Sequence, residues 1–230
     1  MNFENGHLYH VFNQGNNRQK IFFKRENYAF FIQKIRTHLL PHADVLAWCL
    51  MPNHFHLLLV PRSLYSPVDS KSTGELITNA IAVTLRSYTR AINIQENSTG
   101  SLFRQKTKAQ CLTKSNGVTP AYLNSNFGSL ITLQTPENQY PQVCFNYIHQ
   151  NPVKANLVKK AEDWEFSSYR DYCGLRTDDG LVNLDLAKAF FDFSSDYFSK
   201  YSSDDSKSSG DCSKYSSGDS KSSDEFYQNK

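Results

Sequence analysis

The chain has 230 residues, 39% of them hydrophobic and 13% aromatic, and a net charge of +3. This length predicts one folded domain with enough apolar surface for a core. No apolar run approaches the roughly 20 residues of a membrane-spanning helix, and residues 1–5 (MNFEN) lack the basic and apolar segments of a secretory signal, so we expect a cytoplasmic protein that does not enter a membrane.

The five cysteines are odd in number, widely spaced and without a Cys-x-x-Cys pair. This pattern indicates neither a disulfide framework nor a cysteine zinc site. We interpret the cysteines of the body as small apolar residues.

The first half of the chain alternates between strand-like and helix-like patterns. A short strand is expected over residues 8–13, followed by a polar loop. Residues 27–40 carry apolar side chains at close to helical spacing. Residues 45–60 are the most apolar stretch and are broken only at residues 51–53 (MPN), which predicts two strands joined by a tight turn.

The second half continues this mixture. We predict a helix over residues 75–92 and a strand over residues 102–112, where alternation would put Arg104, Lys106 and Lys108 on one face. Residues 143–150 resemble a helix that Pro152 should end or kink. Residues 117–140 give no clear pattern. Strands and helices in this order favour a two-layer α/β sandwich.

A change of composition marks a boundary near residue 194. Residues 194–230 are dominated by Ser, Asp, Lys and Gly and contain a near-repeat, YSSDDSKSS and YSSGDSKSS. Such a segment buries too little apolar area to offset its chain entropy, so we predict a disordered tail. The tail has five Lys and seven Asp or Glu, which leaves residues 1–193 mildly basic, as nucleic acid binding allows but does not require.

Two sets of residues could carry chemistry. His54 and His56 are two positions apart, so in a strand both imidazoles point to the same face and could together hold one divalent ion. Tyr147 and Asn151 are four apart and share a face if the helix continues to residue 151. A tyrosine hydroxyl can attack a phosphodiester when a cation stabilises the transition state. Each set alone is weak, because buried histidines and packed tyrosines are more often structural.

Four stretches, in order along the chain, resemble the REP-associated tyrosine transposases, a branch of the single-tyrosine HUH transposases. The stretch AWCLMPNHFHLL resembles the histidine motif of that family, and YIHQNPVKANLV its nucleophile helix. WEFSSY with YCG resembles the segment that follows, and YHVFNQGNNR the opening strand and loop. The resemblance extends from about Tyr9 to Gly174.

The resemblance implies a ferredoxin-like α+β fold, a two-layer sandwich with an antiparallel sheet and helices packed on one face. It implies a catalytic domain over residues 1–193, His54, His56 and Asn151 as ligands of Mg²⁺ or Mn²⁺, and Tyr147 as the nucleophile. The implied reaction cuts single-stranded or hairpin DNA through a 5′-phosphotyrosine and leaves a free 3′-hydroxyl that can later rejoin a strand. Relatives of this kind act as monomers or as homodimers.

Basic residues of the matched region are candidates for phosphate contacts. The favoured set is Arg18, Arg104, Lys106 and Lys154, and the wider set adds Lys20, Arg86, Arg90 and Lys108. Gln14 departs from the family, because many relatives have a basic residue at that point.

Two alternatives remain open. A metal-dependent hydrolase unrelated to transposition would use the histidine pair without Tyr147. A domesticated, non-catalytic protein would bind hairpin DNA with or without a metal ion.

Overall fold

The structure, a computed structural model, describes residues 1–62, 72–114, 122–125, 128–131, 136–176 and 180–193. The tail predicted to be disordered, residues 194–230, lies outside the described residues, as does part of the unassigned stretch 117–140. None of the described helices is long and apolar enough to cross a membrane.

The described chain contains six strands and five α-helices. In chain order they are β1 (Tyr9–Gln14), α1 (Arg25–His38), β2 (Ala43–Met51), β3 (His54–Pro61), α2 (Thr73–Gln95), β4 (Lys108–Cys111), β5 (Tyr122–Ser125), β6 (Gly128–Ile131), α3 (Pro136–Lys154), α4 (Tyr169–Tyr172) and α5 (Leu184–Ala187).

Four strands form one antiparallel sheet in the order β2-β3-β1-β4. With one helix between β1 and β2 and another between β3 and β4, this is the ferredoxin-like arrangement. Strands β5 and β6 pair separately as a hairpin. The predicted α+β fold, an antiparallel sheet with helices packed on one face, is therefore confirmed for α1 and α2.

One face of the sheet is filled by apolar and aromatic side chains. Phe55 and Leu57 of β3 point to this side, where α1 and α2 supply Phe31 and Tyr88. Phe31 lies 4.9 Å from Tyr88 and 5.2 Å from Phe55 between ring centroids. Burial of such large side chains contributes about 1.5–3 kcal/mol each, so this face forms the main core.

The opposite face is covered by α3 and by the segment that follows it. Leu58 of β3 and Phe145 and Ile148 of α3 belong to this second core. Beyond α3, the chain returns to the edge of the sheet, where Ser168 accepts a hydrogen bond from the backbone of Trp48 and donates one back to it. Helix α3 thus lies on the side of the sheet that α1 and α2 leave uncovered.

The turn between β2 and β3 forms as predicted. Met51 ends β2, His54 begins β3, and Met51 and His54 are paired across the turn. The backbone of Ile21 donates to the carbonyl of Pro52 at 2.8 Å, and Gly15 donates to that of Asn53 at 2.7 Å. These bonds fix the turn, and therefore which face each residue of β3 occupies.

The strand predicted over residues 102–112 is wrong in its first half, because only Lys108–Cys111 form β4. Before it, the side chain of Asn13 donates to the carbonyl of Arg104 and to the hydroxyl of Thr107. A side chain thereby replaces the backbone partner that a regular strand would need. Arg104 and Lys106 consequently do not alternate on a strand with Lys108.

Helix α3 is longer than predicted, and Pro152 does not end it. The helix closes four residues later, where Asn156 has a φ of 55°. Asn156 donates to the carbonyl of Val153, and Leu157 donates to that of Pro152. This is the Schellman pattern of helix termination, in which Asn is one of the few non-glycine residues that adopts the left-handed conformation readily. Asn151 therefore stays inside the helix.

A histidine and tyrosine cluster between the sheet and helix α3

His54 and His56 begin strand β3 and face α3, whereas Phe55 between them points into the main core. The two imidazole rings lie 5.0 Å apart between centroids and are nearly perpendicular. His56 is buried and His54 is half-buried. The predicted placement of both rings on one side of the strand is confirmed, and it follows from the period of two in a strand.

Helix α3 brings Tyr147 and Asn151 to the same place. The Tyr147 ring is 5.5 Å from the His56 ring, edge to face. Asn151 Nδ2 lies 3.1 Å from His56 Nε2, and the Asn151 side chain also hydrogen-bonds to His54. Because α3 continues past Pro152, the spacing of four residues keeps Tyr147 and Asn151 on one helix face.

A third histidine, His10 of β1, completes the cluster. His10 Nε2 is 2.9 Å from His56 Nδ1, and both side chains are buried. Since the Asn151 amide donates to His56 Nε2, His56 Nδ1 carries the ring proton and donates it to His10 Nε2. His54 Nδ1 in the same way lies 2.6 Å from the Asn53 carboxamide oxygen, to which it donates.

Burial keeps these imidazoles neutral at physiological pH. Desolvation lowers the pKa of His10 to about 3. The pKa of His54 falls to about 4 for the same reason, although the hydrogen bond with Asn151 acts in the opposite direction. His56 has a pKa well below its usual value, because of burial first and the neighbouring His54 and His10 second. Neutral rings keep an unprotonated nitrogen available as a ligand.

The two imidazoles and the Asn151 amide could serve as ligands of a divalent metal ion that accepts nitrogen ligands with moderate affinity. Both β3 imidazoles use Nδ1 for an outer hydrogen bond, as metal-bound histidines do. His56 directs Nε2 towards Asn151, and His54 is hydrogen-bonded to the same side chain. Turning the Asn151 amide end for end would present its oxygen to the same point. Among the described residues, no group of three or more His, Cys, Asp or Glu side chains is arranged to hold a metal ion, so the amide would have to be the third ligand.

The four favoured DNA contacts are not gathered in one place. Lys154, at the end of α3, places its ammonium 5.5 Å from the centre of the Tyr147 ring. Arg18 is exposed in the 3-10 turn Asn16–Arg18, close to the β2–β3 turn in the chain fold. Arg104 and Lys106 are exposed before β4. Of these four residues, Lys154 is the one placed beside the Tyr147 side chain by its described contacts.

Sequence reasoning did not assign a role to His10. The available signal was its position in β1, two residues from Phe12, which is the partner of His56 in the strand pairing. A histidine that alternates onto the same face of the adjacent strand lies diagonal to His56 and within its reach.

The helix is also held from its far side. His149 Nε2 lies 2.7 Å from the hydroxyl of Ser168, which in turn bonds to the backbone of Trp48. Both side chains are buried. This link ties α3 to β2 and so limits how far Tyr147 can move away from the histidines.

Comparisons with known proteins add little to this geometry. Neither the protein-family models nor the curated proteins contain a match to the chain. Among solved structures, a REP-associated tyrosine transposase bound to a REP hairpin is similar, with 16% sequence identity and a TM-score of 0.44, over 80% of this chain and 92% of that one. Likeness at this level carries no argument about function, which therefore rests on the residues of the chain.

Proposed function

We propose that the chain is a single-tyrosine DNA endonuclease and strand transferase of the REP-associated tyrosine transposase type, acting on single-stranded or hairpin DNA. One observation carries this proposal: within a single chain, Asn151 of α3 hydrogen-bonds to both imidazoles of the His54-x-His56 pair, and Tyr147 of the same helix packs against His56. A tyrosine, an amide and two neutral imidazoles are more than packing of this face requires, because buried polar groups are costly unless they are bonded or used.

In the proposed reaction, the Tyr147 hydroxyl oxygen attacks a DNA phosphorus and forms an O–P bond. The bond from phosphorus to the 3′-oxygen breaks, the phenol loses its proton to water, and the leaving 3′-oxygen takes one up. The 5′-phosphate stays attached to Tyr147. Rejoining is the reverse attack by a 3′-hydroxyl, and no nucleotide hydrolysis is needed because the phosphotyrosine retains the bond energy.

The neighbouring residues would prepare this attack. The Lys154 ammonium near the Tyr147 ring favours the phenolate that develops as the proton leaves. His56, packed edge-on against the same ring, limits its rotation. The link from His149 to Ser168 anchors the helix. The half-buried site leaves one side of Tyr147 open to a DNA strand.

Mg²⁺ or Mn²⁺, held by His54, His56 and the Asn151 oxygen, would neutralise charge on the phosphate oxygens during the attack. His10 would orient His56 by accepting its Nδ1 proton. We assign His10 a positioning role only, since it faces His56 and not the open side.

A covalent-adduct assay tests the proposal. Labelled hairpin DNA with a single-stranded flank is incubated with Mn²⁺ and the full chain, and the products are separated on a denaturing gel. We expect a protein–DNA species with the wild type and none with Tyr147→Phe. Tyr140→Phe is the matched control, because Tyr140 lies two turns earlier on α3 and is bonded to Gln110. An adduct that survives Tyr147→Phe contradicts the proposal.

A second arm of the assay tests the metal site. The double variant His54→Ala/His56→Ala should lose the adduct and also the enhanced binding of Mn²⁺, measured by electron paramagnetic resonance without DNA. An adduct that persists in this variant makes the metal assignment wrong.

The non-catalytic alternative has one observation in its favour. Both ring nitrogens of His56 have hydrogen-bond partners within the chain, His10 and Asn151, as a hairpin-binding protein without activity would also allow. Binding of hairpin DNA with no adduct in any metal would favour this alternative.

A further inference from the structure

A large cleft opens on the α2 side of the sheet, away from α3. It measures about 1080 Å³ and lies between the outer face of α2 and residues 100–107. Its charged lining side chains are Arg86, Arg90 and Arg104, and among the described residues no Asp or Glu lines it. The charged side chains of the lining are therefore all positive, in a chain whose net charge is only +3.

The three arginines have no acidic partner among the residues that the structure describes, in contrast to Arg25, Arg62 and Arg176, which form ion pairs. Arg86 and Arg90 are exposed and four residues apart on α2, so they are neighbours on one helix face. Arg104 faces the cleft from the opposite side. Unpaired guanidinium groups on two walls suit an anion with several charges along its length.

The rest of the lining suits nucleobases better than a small anion. Ile94, which is 74% exposed, and Leu85 both line the cleft. The cleft volume of about 1080 Å³ lies just above the range of roughly 300–1,000 Å³ that is usual for small-molecule pockets. A positively charged groove that tracks the backbone is typical of proteins that bind single-stranded nucleic acid, and the aliphatic residues of this cleft would contact the bases between the phosphates.

The cleft is also connected to the histidine cluster across the sheet. The backbone of Arg104 donates to the carbonyl of Gln14 at 2.8 Å, and Gln14 is the pairing partner of His54. With neighbouring strands about 4.8 Å apart, the backbone at residue 104 is about 10 Å from that at His54. A DNA strand that runs from Tyr147 around this end of the sheet would thus reach Arg104 before Arg86 and Arg90.

We propose that this cleft, bounded by Arg86, Arg90 and Arg104, binds the single-stranded DNA that continues from the cleaved phosphate. The inference rests on the proposed function for its choice of DNA, and it adds the path of the flanking strand. It also assigns Arg86 and Arg90 to DNA binding, away from the face that holds Tyr147.

The test measures binding of fluorescein-labelled single-stranded DNA, a mixed 20-mer, by anisotropy across a series of salt concentrations. It uses the Tyr147→Phe chain with a chelator, so that neither cleavage nor metal contributes. Each phosphate contact on a single strand adds about 0.7 to the slope of log affinity against log salt. We expect Arg86→Gln/Arg90→Gln to lower that slope by about 1.4, and the addition of Arg104→Gln to lower it by about 0.7 more.

Two controls keep the result specific. Lys34→Gln/Lys160→Gln removes the same charge outside the cleft and should leave the slope unchanged. Arg86→Lys/Arg90→Lys keeps the charge and should restore it, and thermal melting checks that every variant folds. An unchanged slope in the cleft variants, or an equal fall in the control, overturns the inference. The adduct assay on the wild type remains separate, so failure of the cleft leaves the proposed reaction standing, and failure of the adduct does not alter the slopes.

Discussion

The two faces of the sheet are both buried but are filled in different ways. On the α1–α2 face, the side chains are almost all apolar, and Phe31 contacts both Phe55 and Tyr88. On the α3 face, His10 and His56 take buried strand positions where apolar residues would pack as well. The comparison teaches that one face stabilises the fold and that the other gives up stability to hold polar groups in a fixed geometry.

The sharpest contrast comes from removing a large side chain on the apolar face. Phe31 is 1% exposed and contacts the aromatic rings of Phe55 in β3, Tyr88 in α2 and Phe22 in the segment before α1. Phe31→Ala should lower the free energy of unfolding by about 3–5 kcal/mol, since the cavity cannot close fully. Urea denaturation followed by circular dichroism measures this. If Phe31→Ala lowered the free energy of unfolding by less than any variant on the α3 face does, the α1–α2 face would not be the main source of stability.

On the α3 face, the histidines should be coupled. His56→Leu leaves His10 Nε2 without its partner and should cost about 1–3 kcal/mol. His10→Leu/His56→Leu removes both polar groups and should recover most of that loss, because an apolar pair replaces a buried polar one. A double-mutant cycle from urea denaturation gives the coupling. Strictly additive losses would mean that the bond between His10 and His56 does not matter for stability.

The end of α3 offers a smaller effect. Asn156→Ala should cost about 1 kcal/mol, because alanine at a φ of 55° is strained. Asn156→Gly is the matched variant and should be neutral or slightly stabilising. Equal losses in both variants, measured by thermal unfolding, would show that the Asn156 side chain and not its backbone conformation closes the helix.

The smallest effect concerns the segment that covers the α3 face beside β2. Burial by itself would raise the pKa of Asp44, but hydrogen bonds from Arg62 and Asn183 outweigh it and lower the pKa. Because the pKa is lower in the folded state than in the unfolded state, the ionised carboxylate stabilises the folded protein at neutral pH. This stabilisation is lost progressively as the pH falls below about 4. Asp44→Asn should cost less than about 1 kcal/mol at pH 7 and a smaller amount at pH 3, measured by urea denaturation at both pH values.

Much of the fold could be predicted because its elements repeat a strong local period. The β2–β3 pair followed from an apolar run broken by Pro52 and Asn53, and α2 from its helical spacing. The start of β4 at Lys108, and not at residue 102, could not be predicted, because the Asn13 side chain bonds to a backbone carbonyl 91 residues away. No local pattern reports such a contact.

For the candidate site, local spacing predicted which side chains share a face but not what they meet. His54 with His56, and Tyr147 with Asn151, are periodic pairs, and the resemblance joined them. The role of His10 depends on strand order, since β1 had to lie beside β3 to bring it to His56. That α3 continues past Pro152 could likewise not be read from the proline, because the helix ends at the hydrogen bonds around Asn156. The roles of these residues in catalysis and DNA binding stay predictions.

The hydrogen bonds that hold Pro52 and Asn53 have a consequence for how this protein can change during evolution. A strand has two sides, so inserting or deleting one residue in the turn would exchange them along all of β3. Phe55 would then enter the cluster while both imidazoles entered the aromatic core. A separate part of the chain hydrogen-bonds to the turn, through the backbone amides of Gly15, Ile21 and Phe22. The length of the β2–β3 turn can therefore change only in steps of two residues. The chemistry of the site therefore depends on the number of residues in the turn, Pro52 and Asn53, staying even.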